Sequence, residues 1–470
     1  MQNTPFILRR IVCALALAMT GSAVLAQQNT TTQYQYDAVG NLTKITDPLG
    51  RVTDQQYDAL NRLKVQLQPT INGVRPKTEY GYDGLGQLTS VTDPRNLVTS
   101  YTVDGLGNQS VQASPDTGAT HKTYDAAGNV KTVTDAKQQT TVYHYDMLNR
   151  ITGIVYHDGN TVTYTYDVGP YARGRLSSIA DAHGSIAYSY NQKGNIVGET
   201  RVINGVSYVT AYGYDTVGRL NNVTYPSGRI VSYQHDALGR IAQIDTSKDG
   251  SLQTLVAQIT YHPFGGIKSF VNGAGQTVTR GMDLDGRTSS YTLAHQTYSV
   301  GYDAASRIGA ITDIANPAST QNFGYDELDR LTSYQGTGGN QSLTYDLTGN
   351  RTSKMVGAGI TSYTTSPASN RLTQLSGAHN ASYQTDPNGS IVHNGNNAFG
   401  YDARGRLVTA QTALGPVQYK INALGQRIAK TVAGVTTVFH YDTGGKLIGE
   451  SGALHKDYVY LHDLPVALLQ

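Results

Sequence analysis

Aspartate is the residue type in this chain with the most capacity for chemistry. Of 34 acidic residues, only Glu79, Glu199, Glu327 and Glu450 are glutamates. Twelve aspartates directly follow a tyrosine, after Tyr36, Tyr57, Tyr82, Tyr124, Tyr145, Tyr166, Tyr214, Tyr302, Tyr325, Tyr345, Tyr401 and Tyr441. Two carboxylates converging in a cleft could hydrolyse a glycosidic bond. Asp283-Leu284-Asp285-Gly286 and the stretch from Asp245 to Gly250 carry fragments of a calcium loop, without its remaining ligands. The 12 histidines are scattered. His121, His144, His157, His235 and His440 mostly lie beside tyrosine on or near expected strands, and their spacing defines no metal set. There is no Gly-x-Ser-x-Gly elbow, phosphate loop or His-Glu-x-x-His. The expectation is therefore no catalytic, cofactor-binding or metal-binding residue.

The spacing of the aspartates points to architecture instead. Most Tyr-Asp pairs open the phrase Tyr-Asp-x-x-Gly-(Asn/Arg)-Leu, which returns every 20–25 residues. A fixed period of that size marks a repeat fold. In the first copy, Tyr34 and Tyr36 share one face of a strand. Asp37-Ala38-Val39-Gly40 fits a type I turn, with Asp able to accept backbone N–H bonds and Gly free to take positive φ. Asn41 to Thr46 returns as the partner strand, and Asp47-Pro48-Leu49-Gly50 turns again. Where the fourth turn position is not Gly it is often Asn (Asn61, Asn149) and once Asp (Asp329), the residues that best tolerate positive φ. Ser306 fits less well, and Tyr166-Asp167-Val168-Gly169-Pro170 is shifted. The second turn recurs at Asp93-Pro94, Asp135-Ala136 and Asp181-Ala182. Degenerate copies include Val103 to Gly107, Tyr190 to Gly194, His235 to Gly239 and Ile421 to Gly425, with weaker ones headed by His262, Asp283 and Asp386.

The structural positions expected to carry the fold are Tyr36, Asp37 and Gly40; Tyr82, Asp83 and Gly86; Tyr124, Asp125 and Gly128; Tyr214, Asp215 and Gly218; Tyr345, Asp346 and Gly349; Tyr401, Asp402 and Gly405; and Tyr441 with Asp442. The fold class is all-β, an array of antiparallel hairpins forming one long ribbon. About nineteen units give about 38 strands, a ribbon roughly 180 Å long at ~4.8 Å per strand. Such a ribbon twists and would expose its edges if flat, so it coils into a shell or tube, closed or incomplete.

Composition agrees. The chain has 51 Gly, 34 Tyr, 6 Phe and no Trp, the make-up of β-structure with many tight turns. Arg9 and Arg10 precede an apolar run from Ile11 to Leu25, and Val24-Leu25-Ala26 supplies small residues for cleavage before Gln27. Residues 1–26 therefore read as a signal peptide and 27–470 as one repeat domain. The only cysteine, Cys13, lies in that leader. Removing the two leader arginines takes the net charge from +2 to about 0, which argues against nucleic acid and against electrostatic membrane attachment. No later stretch is apolar enough to span a bilayer. The expected location is secreted, extracellular or at the cell surface.

The recurring Tyr-Asp-x-x-Gly-(Asn/Arg)-Leu phrase resembles the bacterial RHS/YD-repeat proteins, over essentially the whole chain after the leader. Tyr441 to Leu447, with Asp457-Tyr458-Val459-Tyr460-Leu461 and Leu464 to Ala467, resembles the start of that family's RHS-associated core, placed at 441–470. The resemblance implies a β-sheet shell that often encloses a toxin released by self-cleavage at an aspartyl motif. Asp386-Pro387-Asn388-Gly389 has the letters of that motif but reads as a mid-array turn. With the sequence ending at Gln470, the resemblance implies a cocoon-type scaffold without its own toxin, acting with a separately encoded core or toxin chain. A stand-alone adhesin or carbohydrate-binding protein for cell-surface glycan, using exposed tyrosines, is the alternative. A glycan hydrolase built on the repeat is the third reading.

Overall fold

A computed structural model describes residues 31–470; the leader reading lies outside the described residues. Among the described residues, forty-two strands run from Gln33–Tyr36 to Leu464–Leu469, slightly more than the count of about nineteen units anticipates, because hairpins also form around Ser366 to Arg371 and at Leu461↔Leu464. Each strand pairs antiparallel with its successor in the chain, from Gln33↔Thr46 at the start to Leu461↔Leu464 at the end. The sheet is one unclosed meander. Among the described residues there is no α-helix, only a single 3-10 turn at Pro317–Ser319.

The Tyr-Asp phrase builds its hairpin in the same way along the array. Asp37 N–H donates to Asn41 O at 3.0 Å, and Gly40 N–H to Asp37 O at 3.2 Å. Gly40 sits at φ +95°. The strand that follows carries one extra residue, so Tyr36 faces Leu42 across a bulge, as Tyr82 faces Leu88 and Tyr401 faces Leu407. Bulges strengthen local twist, and a twisted meander of this length coils.

The coil brings distant segments together. Arg51 reaches Asp329, 278 residues away, whereas Arg229 reaches Asp457, 228 away. Each turn of the ribbon therefore uses fewer residues toward the C-terminal end, and the coil tightens. The buried core lies where it is tightest. Val231, Ile244, Val256, Val459 and Leu461 are fully buried, packing strands of the first coil, which runs to the 3-10 turn at Pro317–Ser319, against the last strands of the second coil, which follows that turn. Smaller clusters join Ile154, Val162 and Ile179 to Ala423, and Ile203 to Ile428 and Val438.

Candidate functional site: the seam and edges of the coil

The predicted repeat positions form a connected unit rather than a reactive one. Asp37, Asp83, Asp125, Asp215, Asp346, Asp402 and Asp442 each accept on Oδ1 the N–H groups two and four residues on, at 2.8–3.1 Å. Gly40, Gly86, Gly128, Gly218, Gly349 and Gly405 close the turns at φ between +72° and +106°. Asn61, Asn149, Asp329 and Ser306 take the same left-handed conformation at φ 60–66°. At the shifted copy, Asp167 itself is left-handed, and the loop runs on until Asp167 N–H meets Arg175 O at 3.0 Å.

Most of these carboxylates bind a second group. Oδ2 of Asp58, Asp146, Asp215 and Asp402 accepts from the Nε of Arg62, Arg150, Arg219 and Arg406 at 2.6–2.8 Å. Where the residue is asparagine, as at Asn41 or Asn129, its amide bonds both the aspartate and the asparagine of the next Asp turn. Hydrogen bonds from Arg62 hold Asp58 below the usual carboxylate range, and those from Asn129 do the same for Asp125.

The tyrosines have a role that alternation and stacking do not reveal. Tyr57 Oη donates to Leu42 O at 3.0 Å, Tyr82 to Leu63 O at 2.8 Å, Tyr145 to Val130 O at 3.0 Å and Tyr345 to Leu331 O at 2.8 Å. Tyr124, Tyr214, Tyr401 and Tyr441 bond the preceding hairpin likewise. Each acceptor is the residue that opens the bulged strand, where the ladder is interrupted. This explains why tyrosine rather than phenylalanine recurs. The signal in the sequence is the ratio of 34 Tyr to 6 Phe.

Among the described residues, no three His, Cys, Asp or Glu side chains are placed to hold a metal ion. Asp283 caps an ordinary repeat turn and pairs with Arg287. Buried Asp245 is filled by Gln234, Gln243 and Thr254. His440 is buried, bonds Ser451 Oγ at 2.7 Å, and burial lowers its pKa to about 4.

What the fold does create is a seam with two different sides. The ribbon has one edge of Asp turns and one of return turns. Where the coils meet, return turns of the first face Asp turns of the second. Arg51 bonds Asp329, and Arg95 bonds the carbonyls of Ser366 and Ser369 at 2.8 Å. Asn388 donates to Asp135 at 2.6 Å, so the Asp386-Pro387-Asn388-Gly389 segment is a turn held in the seam. Asp181 accepts Ala423 N–H at 2.6 Å. Deeper in, Asp457 takes Ser227 and Arg229, both at 2.8 Å, and Glu199 pairs with Arg201, which also reaches Gln426. These contacts are invisible to local patterning. One trace does exist: return turns between residues 320 and 456 carry no aspartate, whereas four of those in the seam begin with one, at Asp47, Asp93, Asp135 and Asp181.

The other side of the same geometry is an uncovered edge. In most Asp turns of the first coil the third residue is apolar and exposed, namely Val39, Leu60, Leu85, Leu106, Leu148, Val217, Leu238 and Phe264, from 65% at Leu60 to 100% at Phe264, whereas residues such as Ala127, Lys193 and Asp285 hold that position elsewhere. In the second coil the equivalent Leu328 lies in the seam, in a cleft shared with Ile45, Pro69, Pro76 and Pro94. Among the described residues, no helix is long and apolar enough to cross a membrane.

Two family models match the chain: RHS repeat, over residues 23–48, 36–68, 82–119, 124–161 and 214–251, and teneurin YD-shell, over 257–446. No curated protein sequence matches. Among solved structures, the crystal structure of TcdB2-TccC3 superimposes at TM-score 0.74 and 15% identity, over 91% of this chain and 28% of that one. TcdB2-TccC3-Cdc42 gives 0.75 at 15%, over 91% and 27%. The Photorhabdus luminescens Tc holotoxin pore gives 0.74 at 15%, again over 91% and 27%. The chain spans less than a third of the length of these solved chains.

Proposed function

The chain belongs to the RHS/YD-repeat proteins, and from that premise we propose that it is a secreted, non-enzymatic wall segment of a toxin-delivery shell. It works with a second YD-repeat chain that completes the wall. The observation that carries this reading is the contrast between the two appearances of the Asp-turn edge. In the seam, the edge meets return turns, and Leu328 is half-buried there. In the first coil, the same edge presents a row of apolar tips to solvent. The row is broken at Ala127 and Lys193, and its two longer runs, Val39 to Leu106 and Val217 to Phe264, are the surface it offers to a partner. Its complement is the kind of edge the chain already uses on itself, a row of four-residue return turns. The turn carboxylates support the non-enzymatic part, since each serves a turn and most also hold an arginine or asparagine. The solved relatives named for two chains support the partner.

The test is affinity purification of the tagged chain from its producing cells, with mass spectrometry of what accompanies it. A second chain with Tyr-Asp repeats is expected. It should be lost when Leu85, Leu106 and Leu238 are together replaced by Asp, with thermal melting unchanged. Recovery of the chain alone, in both forms, would refute the reading.

A further inference from the structure

In the arginine-bearing repeats, a carboxylate, a guanidinium and the next tyrosine form one unit. Arg240 donates to Asp236 Oδ2 at 2.8 Å, and its guanidinium lies 4.7 Å from the centre of the Tyr261 ring. Arg62 does the same between Asp58 and Tyr82, and Arg307 between Asp303 and Tyr325. The repeat at Asp442 departs from this. The fourth residue after the aspartate is Lys446, whose ammonium lies 6.0 Å from the Tyr460 ring centre but bonds His462 O at 2.7 Å and Asp463 at 2.8 Å instead of Asp442. Asp442 Oδ1 still caps its turn. Asp442 Oδ2 accepts no hydrogen bond among the described residues.

Asp442 lines a cleft of about 610 Å³, together with Tyr212, Tyr225, Tyr233, Tyr460 and His235. The volume is in the range of small-ligand sites. Burial raises the pKa of all four tyrosines, and the Asp442 charge adds to it in each case. Tyr233 is pushed up to about 12, and its hydroxyl has no partner among the described residues.

Charge decides what the cleft would hold. Its other ionic lining groups, Arg219, Arg240 and Lys446, are each matched by a carboxylate, on Asp215, Asp236 and Asp463. Asp442 is the one carboxylate of the lining, and its Oδ2 is left unmatched. A cation would match that oxygen, whereas an anion or a neutral polyol would not. A guanidinium offers planar donors to the carboxylate and a flat face to tyrosine rings. We propose that this cleft binds the arginine side chain of a partner peptide, with Asp442 Oδ2 as acceptor and the tyrosines flanking the guanidinium. The site goes beyond the wall-segment reading and does not depend on it; loss of this binding would leave the edge interaction intact.

The experiment is isothermal titration calorimetry of the whole chain with N-acetyl-L-arginine amide, its citrulline counterpart and free L-arginine. The arginine amide should bind saturably at one site, at least tenfold more tightly than the citrulline form and no less tightly than free arginine. Asp442→Asn should abolish binding without unfolding, because Asn422 holds the same turn position and accepts Gln426 N–H at 2.9 Å. Lys446→Arg should also abolish it, because the new guanidinium would take Oδ2 as Arg240 takes that of Asp236. Absence of saturable binding, equal binding of citrulline, tighter binding of free arginine, or unaltered binding by both folded variants would each overturn the proposal.

Discussion

At the residue scale, the Tyr-Asp pair divides its labour between two directions. The aspartate acts within its own hairpin, and the tyrosine hydroxyl acts on the preceding one. The hydroxyl therefore contributes what a ring alone cannot. Tyr145→Phe should cost about 0.5–1.5 kcal/mol, the net worth of one hydrogen bond, read from urea unfolding. The turn glycines make a separate point. A Cβ at Gly128 meets nothing within 4 Å, yet φ is +84°, so the penalty of substitution there is purely conformational. Gly128→Val should destabilise by about 1–2 kcal/mol, and Gly128→Asn by clearly less. Equal melting temperatures for the two would remove the conformational account. The turn chemistry was legible because type I turns constrain residue identity locally. The hydroxyl's partner was not, because it lies on another hairpin in a register set by the bulge.

At the element scale, the seam depends on ionic groups that leave water. Arg229 and Asp457 are 8% and 7% exposed. Removing one partner strands the other in a low-dielectric setting. Arg229→Ala should cost about 3–5 kcal/mol, whereas Arg229→Ala with Asp457→Ala should recover part of that loss. A double-mutant cycle with no coupling between the two positions would contradict the packing of the last strands on the first coil. The exposed pairs within turns, such as Arg219 with Asp215, lie in water and should each contribute little.

At the scale of the whole molecule, acid should dismantle the array in two stages with different causes. Buried His440 has a depressed pKa of about 4, so its neutral form is favoured by the fold. Its contribution is present above the unfolded value near 6.5 and is lost as pH falls toward 4. The turn aspartates are also held low, as at Asp58 and Asp125. Their contribution persists at neutral pH and is lost only as they protonate, below about pH 4. Thermal melting against pH should show both stages, and His440→Gln should weaken the first while sparing the second. A single transition unchanged by that substitution would exclude the histidine. Secretion is a separate expectation, checked by finding the chain in the culture medium with its N-terminus at Gln27.

The amino-acid sequence by itself determined the unit and its order. Tyr, Asp, Gly and Leu specify a hairpin through local rules, and a meander of successive hairpins needs no long-range instruction. It also made coiling unavoidable, because twisted strands accumulate rotation. Only the tertiary structure decided how tightly the ribbon winds and therefore what meets what. That Arg51 finds Asp329, that Leu328 is covered while Leu85 is bare, and that Asp442 faces tyrosines from the first coil all depend on a sum of small twists over some twenty strands. No single residue encodes that sum, so the edges and the cleft appear only once the coil has wound back past its own start.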